Sequence, residues 1–499
     1  MSFGEVFKKD RQVIPRWHIY PMARWLGVTA SLKEPPLSNG EDKDYFERVQ
    51  DWQEKGKISH AADLVGSALV LNNFDDPIAI EAAKFILKNR KKATESLIEI
   101  SENFLRIVQK VPFPIPNIIL PEELKKYYFG ISTIKKRIRE YPRNPILWMD
   151  LAFYYSALGQ SKQAEDAVLV ALSLNKQNRY IIRSGARFFI HNKTPDRALL
   201  LLRQSEVLLR DPWVLSAEIA ISDSLNRTSK RMKLAKQMID SKNFPSFHVS
   251  ELASAIGTME IKSGAIKKGK KLFTIALQDP TENVFAQAVF LKTLLGEPKV
   301  IPPPSNLEHS FEAQTRIEFQ NGEFQNSLES AKKWFAYQPF SSRPASAASY
   351  VASVALGDFD EAARIARMGL MASPGEFLLK NNLAFSLASM GETNQSREIL
   401  STIEDSSVKE TYKGVLSATL GVVSFREGKI LEGRKLYEKA IESFKKQGDS
   451  RSEALAKFFW AREERIVKSP EGNKLMEEAL KLARKLKIGE LLFQNEKQI

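Results

Sequence analysis

Residue types that carry out catalysis are sparse in this sequence. It contains no cysteine, so disulfides, thiolate metal sites and cysteine nucleophiles are excluded. No two of its five histidines share a helical turn: His18, His60, His191, His248 and His309. A zinc site of the His-Glu-x-x-His type is therefore absent, and no local motif combines serine, histidine and aspartate. We expect a protein that is not an enzyme and that uses no cofactor or metal.

One short motif resembles the start of a phosphate-binding loop. Gly264 to Lys271 reads G-x-x-x-x-G-K-K. Lys271 replaces the serine or threonine that would hold magnesium, and no buried strand precedes the motif. We interpret Gly264 as a turn glycine between two helices, and Gly269 as a small residue where those helices approach each other. Nucleotide binding is not predicted.

The elements that would position binding residues follow an internal repeat. From Pro145 onward, small and large residues recur at intervals of about 34 positions. The first repeat carries Trp148, Leu151, Ala152, Tyr155, Gly159, Ala164, Val168 and Ala171. The glycine at the turn between the two helices recurs at 322, 357, 391 and 428 in later repeats. This pattern resembles the tetratricopeptide repeat family. The resemblance implies an all-α fold, a right-handed αα superhelical solenoid of helix pairs that bury one continuous core by stacking.

Proline-rich stretches suggest four parts in the chain. Residues 1–121 are predicted to be an irregular arm followed by a helical cap or degenerate repeats, 122–296 a first repeat segment, 297–307 a break, and 308–499 a second repeat segment. The first 40 residues contain Trp17, Tyr20 and Trp25. These aromatic residues either anchor the arm onto its own solenoid or form an arm that binds a partner.

In the family that the sequence resembles, the first helix of each pair lines a concave groove. Its groove positions correspond here to Arg183, Arg187, Arg316, Phe319, Asn381 and Phe385. Arginine and aromatic residues are common at the centres of protein interfaces. We therefore expect a non-catalytic scaffold or adaptor that binds one or more proteins or peptide segments with these side chains facing outward.

The charge distribution favours an alternative function. The chain has a net charge of +14, and residues 101–300 carry 13 of these charges. Within the basic region 125–271, Lys267, Lys268, Lys270 and Lys271 belong either to a solvated outer face or to a track that binds nucleic acid or another polyanion. The lack of cysteine and of a signal-peptide pattern leads us to expect a cytoplasmic protein. No apolar stretch reaches the length needed to cross a bilayer, so we expect no membrane partner.

Overall fold

The computed structural model describes residues 11–19, 41–70, 73, 76–108, 121–241, 243–295, 307, 309–404 and 408–497. Regular structure in these ranges is helical, and no strand occurs in them. Contacts divide the chain into two units. The first unit is Gln12–Val284, and the second is Met1–Arg11 with Phe285–Ile499.

The first unit is built of helices that pack with their neighbours along the chain. Its helices are α1 Glu41–Lys55, α2 Ile58–Val70, α3 Pro77–Lys88, α4 Glu95–Val108, α5 Pro121–Glu140, α6 Pro145–Ala157, α7 Ser161–Leu174, α8 Arg179–His191, α9 Pro195–Gln204, α10 Pro212–Ser224, α11 Met232–Asp240, α12 Ser246–Lys262 and α13 Ile266–Ala276. The division between the units falls within α14, Glu282–Leu294.

The second unit continues the same pattern. Its helices are α15 Phe311–Gln320, α16 Phe324–Tyr337, α17 Ser342–Tyr350, α18 Phe359–Ala372, α19 Phe377–Ser389, α20 Thr393–Ser401, α21 Glu410–Arg426, α22 Ile430–Lys446, α23 Ser450–Ile466, α24 Glu471–Leu486 and α25 Gly489–Lys497. A π-helical turn, Val351–Leu356, extends α17. We call the first helix of each pair an A helix. Successive A helices contact one another from α6 to α12 in the first unit and from α17 to α23 in the second.

Local signals explain where many of these helices begin and end. Asn144 and Asp211 cap α6 and α10 by accepting hydrogen bonds from backbone N–H groups, and a proline follows each of them at the first helical position. Turns between paired helices use a left-handed residue, which glycine adopts without steric cost. The predicted turn glycines have φ values between +68° and +90° at 159, 264, 322, 357, 391 and 428.

Close packing inside a pair depends on small residues. An added Cβ at Gly257 in α12 would lie 2.9 Å from Phe273 of α13, and one at Gly269 would lie 2.8 Å from the Gly257 carbonyl oxygen. Gly264, with φ +88°, makes the turn between these two helices. The G-x-x-x-x-G-K-K motif thus serves as a turn and a helix contact. Together, the helix pairs confirm the expectation of an all-α repeat solenoid.

Several sequence-based expectations fall outside the described residues. Tyr20, Trp25 and nearly all of the proline-rich break at 297–307 are among them. The division into 1–121, 122–296, 297–307 and 308–499 stays a proposal.

Candidate functional site

Residues 12–18 form an N-terminal segment, without helix or strand, that lies on A helices of the first unit. We call the surface that it contacts, on α6, α8, α10, α12 and Asn283 at the start of α14, the A face of the first unit. Trp17 is fully buried and meets the rings of Phe153 and Phe188 edge-on, at centroid distances of 5.5 and 6.2 Å. Of the two interpretations of Trp17, the structure therefore shows the first, in which it anchors the arm onto its own solenoid.

Hydrogen bonds hold the start of the N-terminal segment, at Gln12, and the segment's main chain. Gln12 is buried, and its Nε2 donates to Asp223 Oδ2 at 2.8 Å and to the Ala255 carbonyl oxygen at 3.2 Å. Asn283 Nδ2 donates to the Ile14 carbonyl oxygen at 3.0 Å. The A face thus contacts both side chains and main chain of this segment.

Tyr180 provides a polar contact near Trp17. Its hydroxyl oxygen lies 2.9 Å from the His18 carbonyl oxygen and 3.0 Å from Asp150 Oδ1. Burial and the Asp150 carboxylate raise the pKa of Tyr180 well above its ordinary value, so the hydroxyl keeps its proton. Because there is one proton and two acceptors, Tyr180 donates to one of them at a time.

In the second unit, Arg11 is held by a cluster of charged and amide groups. Its Nε and Nη2 donate to the two Glu312 oxygens at 2.9 and 3.0 Å, and Gln287 Nε2 donates to its carbonyl oxygen at 2.7 Å. Arg343 also binds Glu312, at 2.7 Å. Two guanidinium groups therefore share one buried carboxylate.

The last helix, α25, packs inside the second unit through polar as well as apolar contacts. Tyr350 donates to Glu490 Oε1 at 3.3 Å, and Arg451 also pairs with this carboxylate. Gln494 Nε2 donates to the Ser353 carbonyl oxygen, which belongs to the π-helical turn, at 3.2 Å. Phe493 meets Phe324 with ring centroids 5.3 Å apart. A helical segment near the chain terminus thus covers part of this unit.

Arg183, a predicted groove residue, belongs to a buried ion pair. Its Nη2 lies 2.6 Å from Glu251 Oε2, with side-chain exposures of 8% and 3%. Its Nη1 donates to the Trp213 carbonyl oxygen at 2.6 Å, and the guanidinium lies 4.8 Å from the centroid of the Trp213 ring. Arg183 therefore joins α8 to α10 and α12.

The other candidate groove residues are also largely enclosed. Arg187 is half-buried and lies one turn after Arg183 on the same side of α8. Arg316 is buried beside the Phe290 ring, and burial lowers its pKa to about 9, so it stays charged at neutral pH. Phe319 packs on Phe324 and Tyr350, Phe385 packs on Phe359 and Phe459, and Asn381 is fully buried.

This burial corrects the expectation that the six side chains face outward. Five of them are buried and only Arg187 keeps part of its surface exposed. The physical reason is that the side chains of an A helix pack on other A helices. Phe385 of α19, for example, packs on Phe459 of α23, the second A helix after it. Whether any of the six contacts a partner stays a prediction.

The candidate lysines of the alternative function lie on the surface of α13. Lys267, Lys268, Lys270 and Lys271 are all exposed. Lys268 and Lys236 of α11 both approach Glu260 Oε1, at 3.0 and 3.5 Å. The two helices thus bring their positive charges together around one carboxylate.

Gln12 and Asp223 were not among the residues predicted from the sequence. Glu251 and Glu312 occupy groove positions of the repeat, but their buried ion pairs were not predicted. The hydrogen bonds of Gln12 with Asp223, Arg183 with Glu251 and Arg11 with Glu312 join residues 211, 68 and 301 positions apart, so no local motif could reveal them. The polar residues inside otherwise apolar A helices, such as Glu251 in α12, were the available signal.

Among the described residues, no three histidine, aspartate or glutamate side chains group closely enough to hold a metal ion. In the same ranges, no helix has the length and apolar character to span a bilayer.

Comparisons with known proteins give similarities in structure only. No protein-family model matches the chain, and neither does any curated protein sequence. The chain is similar to the structure described as the APC/C hetero-tetramer Cut9-Hcn1, with 13% identity, coverage of 91% of this chain and 93% of that chain, and a TM-score of 0.31. It is also similar to the structure of Naa15/Naa10 bound to HypK-THB, with 12% identity, coverage of 91% and 88%, and a TM-score of 0.24. Because both TM-scores are low, the fold assignment rests on the helix pairs themselves.

Proposed function

We propose that this protein is a non-catalytic protein-interaction scaffold whose first unit binds extended peptide segments on its A face. One observation carries the proposal: the chain's own residues 12–18 lie there outside any helix or strand, with a fully buried Trp17 and main-chain carbonyl groups that accept hydrogen bonds from the helices. Aromatic anchors combined with main-chain hydrogen bonds are typical of peptide recognition.

Arg187 is the candidate residue best placed to contact a partner directly, because part of its surface is exposed. It follows Tyr180 and Arg183 at helical spacing, so all three lie on one side of α8. Arg183 would instead support binding at the A face indirectly, by joining α8 to α10 and α12. Arg316, Phe319, Asn381 and Phe385 would hold A helices of the second unit in place.

Site-specific photo-crosslinking tests the scaffold function. A photoreactive amino acid replaces Arg187 in the full chain, and a matched variant carries it at the exposed Lys271 on α13. In cells of the native host, we expect the Arg187 position to give a discrete crosslinked protein that the Lys271 position does not give. Crosslinks from Lys271 alone, or from neither position, would contradict binding at the A face.

A second function, binding of nucleic acid or another polyanion, is favoured by the lysines of α13. Lys267, Lys268, Lys270 and Lys271 are exposed, and α11 adds Lys236 next to Lys268. Phosphate neutralisation by such clusters gives affinity with little sequence preference and strong dependence on salt.

Electrophoretic mobility shifts test this alternative. We expect wild-type protein to shift double-stranded nucleic acid at low salt and to lose most of this binding at physiological salt. Changing Lys267, Lys268, Lys270 and Lys271 together to glutamate should abolish the shift. The same charge change at four exposed lysines of α22, Lys435, Lys439, Lys445 and Lys446, is the control. Equal loss in both variants would indicate an effect of net charge alone.

A further inference from the structure

The N-terminal segment is bound at separated points, as a peptide ligand is bound to a receptor. The side chain of Gln12 is held at one end and that of Trp17 near the other, while Asn283 and Tyr180 bind carbonyl oxygens between and beyond them. Val13 and Pro15 are buried as well. The main-chain contacts do not depend on residue type, so selection must come from the side chains.

The polar groups on the A face also have partners within the face itself. Tyr180 lies within hydrogen-bond distance of Asp150, at 3.0 Å, as well as of the segment. Asp223, which accepts from Gln12, also pairs with Lys262 at 3.2 Å. When the segment is removed, Tyr180 can still donate a hydrogen bond to Asp150, and Asp223 still pairs with Lys262. Both groups therefore keep a partner. This property favours reversible release of the segment.

We propose that residues 12–18 are an exchangeable internal ligand, and that the A face takes in their place an extended segment of a partner protein. That segment would present a large aromatic side chain five positions after an amide side chain, as Trp17 follows Gln12. The inference rests on the proposed scaffold function and names the chemistry of its partner.

The internal ligand sets how tightly a partner binds. A partner segment binds only to molecules in which residues 12–18 have left the A face, so its apparent dissociation constant is the intrinsic value divided by the open fraction. Weakening the internal segment raises that fraction. Trp17→Ala should therefore strengthen binding of an added peptide, although it removes a side chain from the protein.

The test uses the full chain and a fluorescent peptide with the sequence of residues 12–19, Gln-Val-Ile-Pro-Arg-Trp-His-Ile. Fluorescence anisotropy measures its binding to wild type and to the Trp17→Ala protein. We expect binding to the variant to be at least about 10-fold tighter than to wild type. A peptide with alanine in place of tryptophan should bind the variant about 100-fold more weakly than the original peptide does. The reason is that a buried tryptophan contributes a large part of the binding free energy.

Controls separate specific binding from general stickiness and from misfolding. A scrambled peptide of the same composition should not bind. Circular dichroism should show unchanged helix content in Trp17→Ala, and hydrogen exchange should show residues 12–18 less protected than in wild type. Gln12→Ala provides a second, milder variant that leaves the aromatic site intact.

Three outcomes overturn the proposal. The peptide fails to bind although exchange shows that the segment has been released, or the segment stays protected in Trp17→Ala, or the scrambled peptide binds equally well. If one of these outcomes occurs while a partner protein crosslinks to the Arg187 position, the exchangeable internal ligand is rejected and the scaffold function is still supported. Failure of both experiments would reject both.

Discussion

Replacing Arg183 with alanine should strongly destabilise the first unit. The change removes one member of an ion pair in which the other, Glu251, keeps only 3% of its side chain exposed. The second oxygen of Glu251 receives only a long hydrogen bond from Thr281, at 3.3 Å. Leaving a buried charge without its partner costs about 3–5 kcal/mol. The loss of the contact with the Trp213 ring adds to this cost.

Urea unfolding followed by circular dichroism measures the effect, with a double-mutant comparison to isolate the pair. Because Arg183→Met combined with Glu251→Leu removes both charges, we expect it to be closer to wild type than Arg183→Ala alone. The control is Arg227→Ala, whose partner Asp196 is 71% exposed, and which should cost no more than about 1 kcal/mol. If Arg183→Ala were no more destabilising than this control, the pair would not be buried as described. That result would support the sequence-based expectation that Arg183 faces outward into the groove.

Three further predictions concern packing and pH. Gly257→Leu should destabilise by a few kcal/mol because Phe273 occupies the space a side chain would need, and an unchanged melting temperature would contradict this packing. Ala171→Asp should do the same because it puts a charge at a fully buried position, with Lys176→Asp as an exposed control in the same thermal assay. Burial, followed by the charge of Arg187, lowers the pKa of His191 from 6.5 to about 3, so its neutral form stabilises the fold above pH 6.5 and this stability is lost as pH falls toward 3. His191→Gln should therefore lose less stability than wild type between pH 7 and pH 5 in urea unfolding, and identical pH profiles would refute the assignment.

The repeat and its turns could be predicted from the sequence because they depend on nearby residues. Gly264 and Gly391 were predicted as turns since a left-handed residue must follow the first helix of a pair, and both have positive φ. Gly269 was predicted as a close contact since paired helices lie next to each other along the chain, and it lies against the Gly257 carbonyl oxygen of α12. Such signals are contained within about 34 residues, so a single chain shows them several times.

The candidate site depends on contacts between residues far apart in the chain, and the repeat pattern does not predict such contacts. The family pattern assigned Arg183 to an open groove, whereas Glu251, 68 positions further along, makes it part of a buried pair. Trp17 was recognised as an anchor of either its own solenoid or a partner, and only its packing on Phe153 and Phe188 decided between them. The repeat pattern specifies which residues make a helix pair. Which segment covers the A face depends on the free energy of long-range packing, and the tertiary structure was needed to show it.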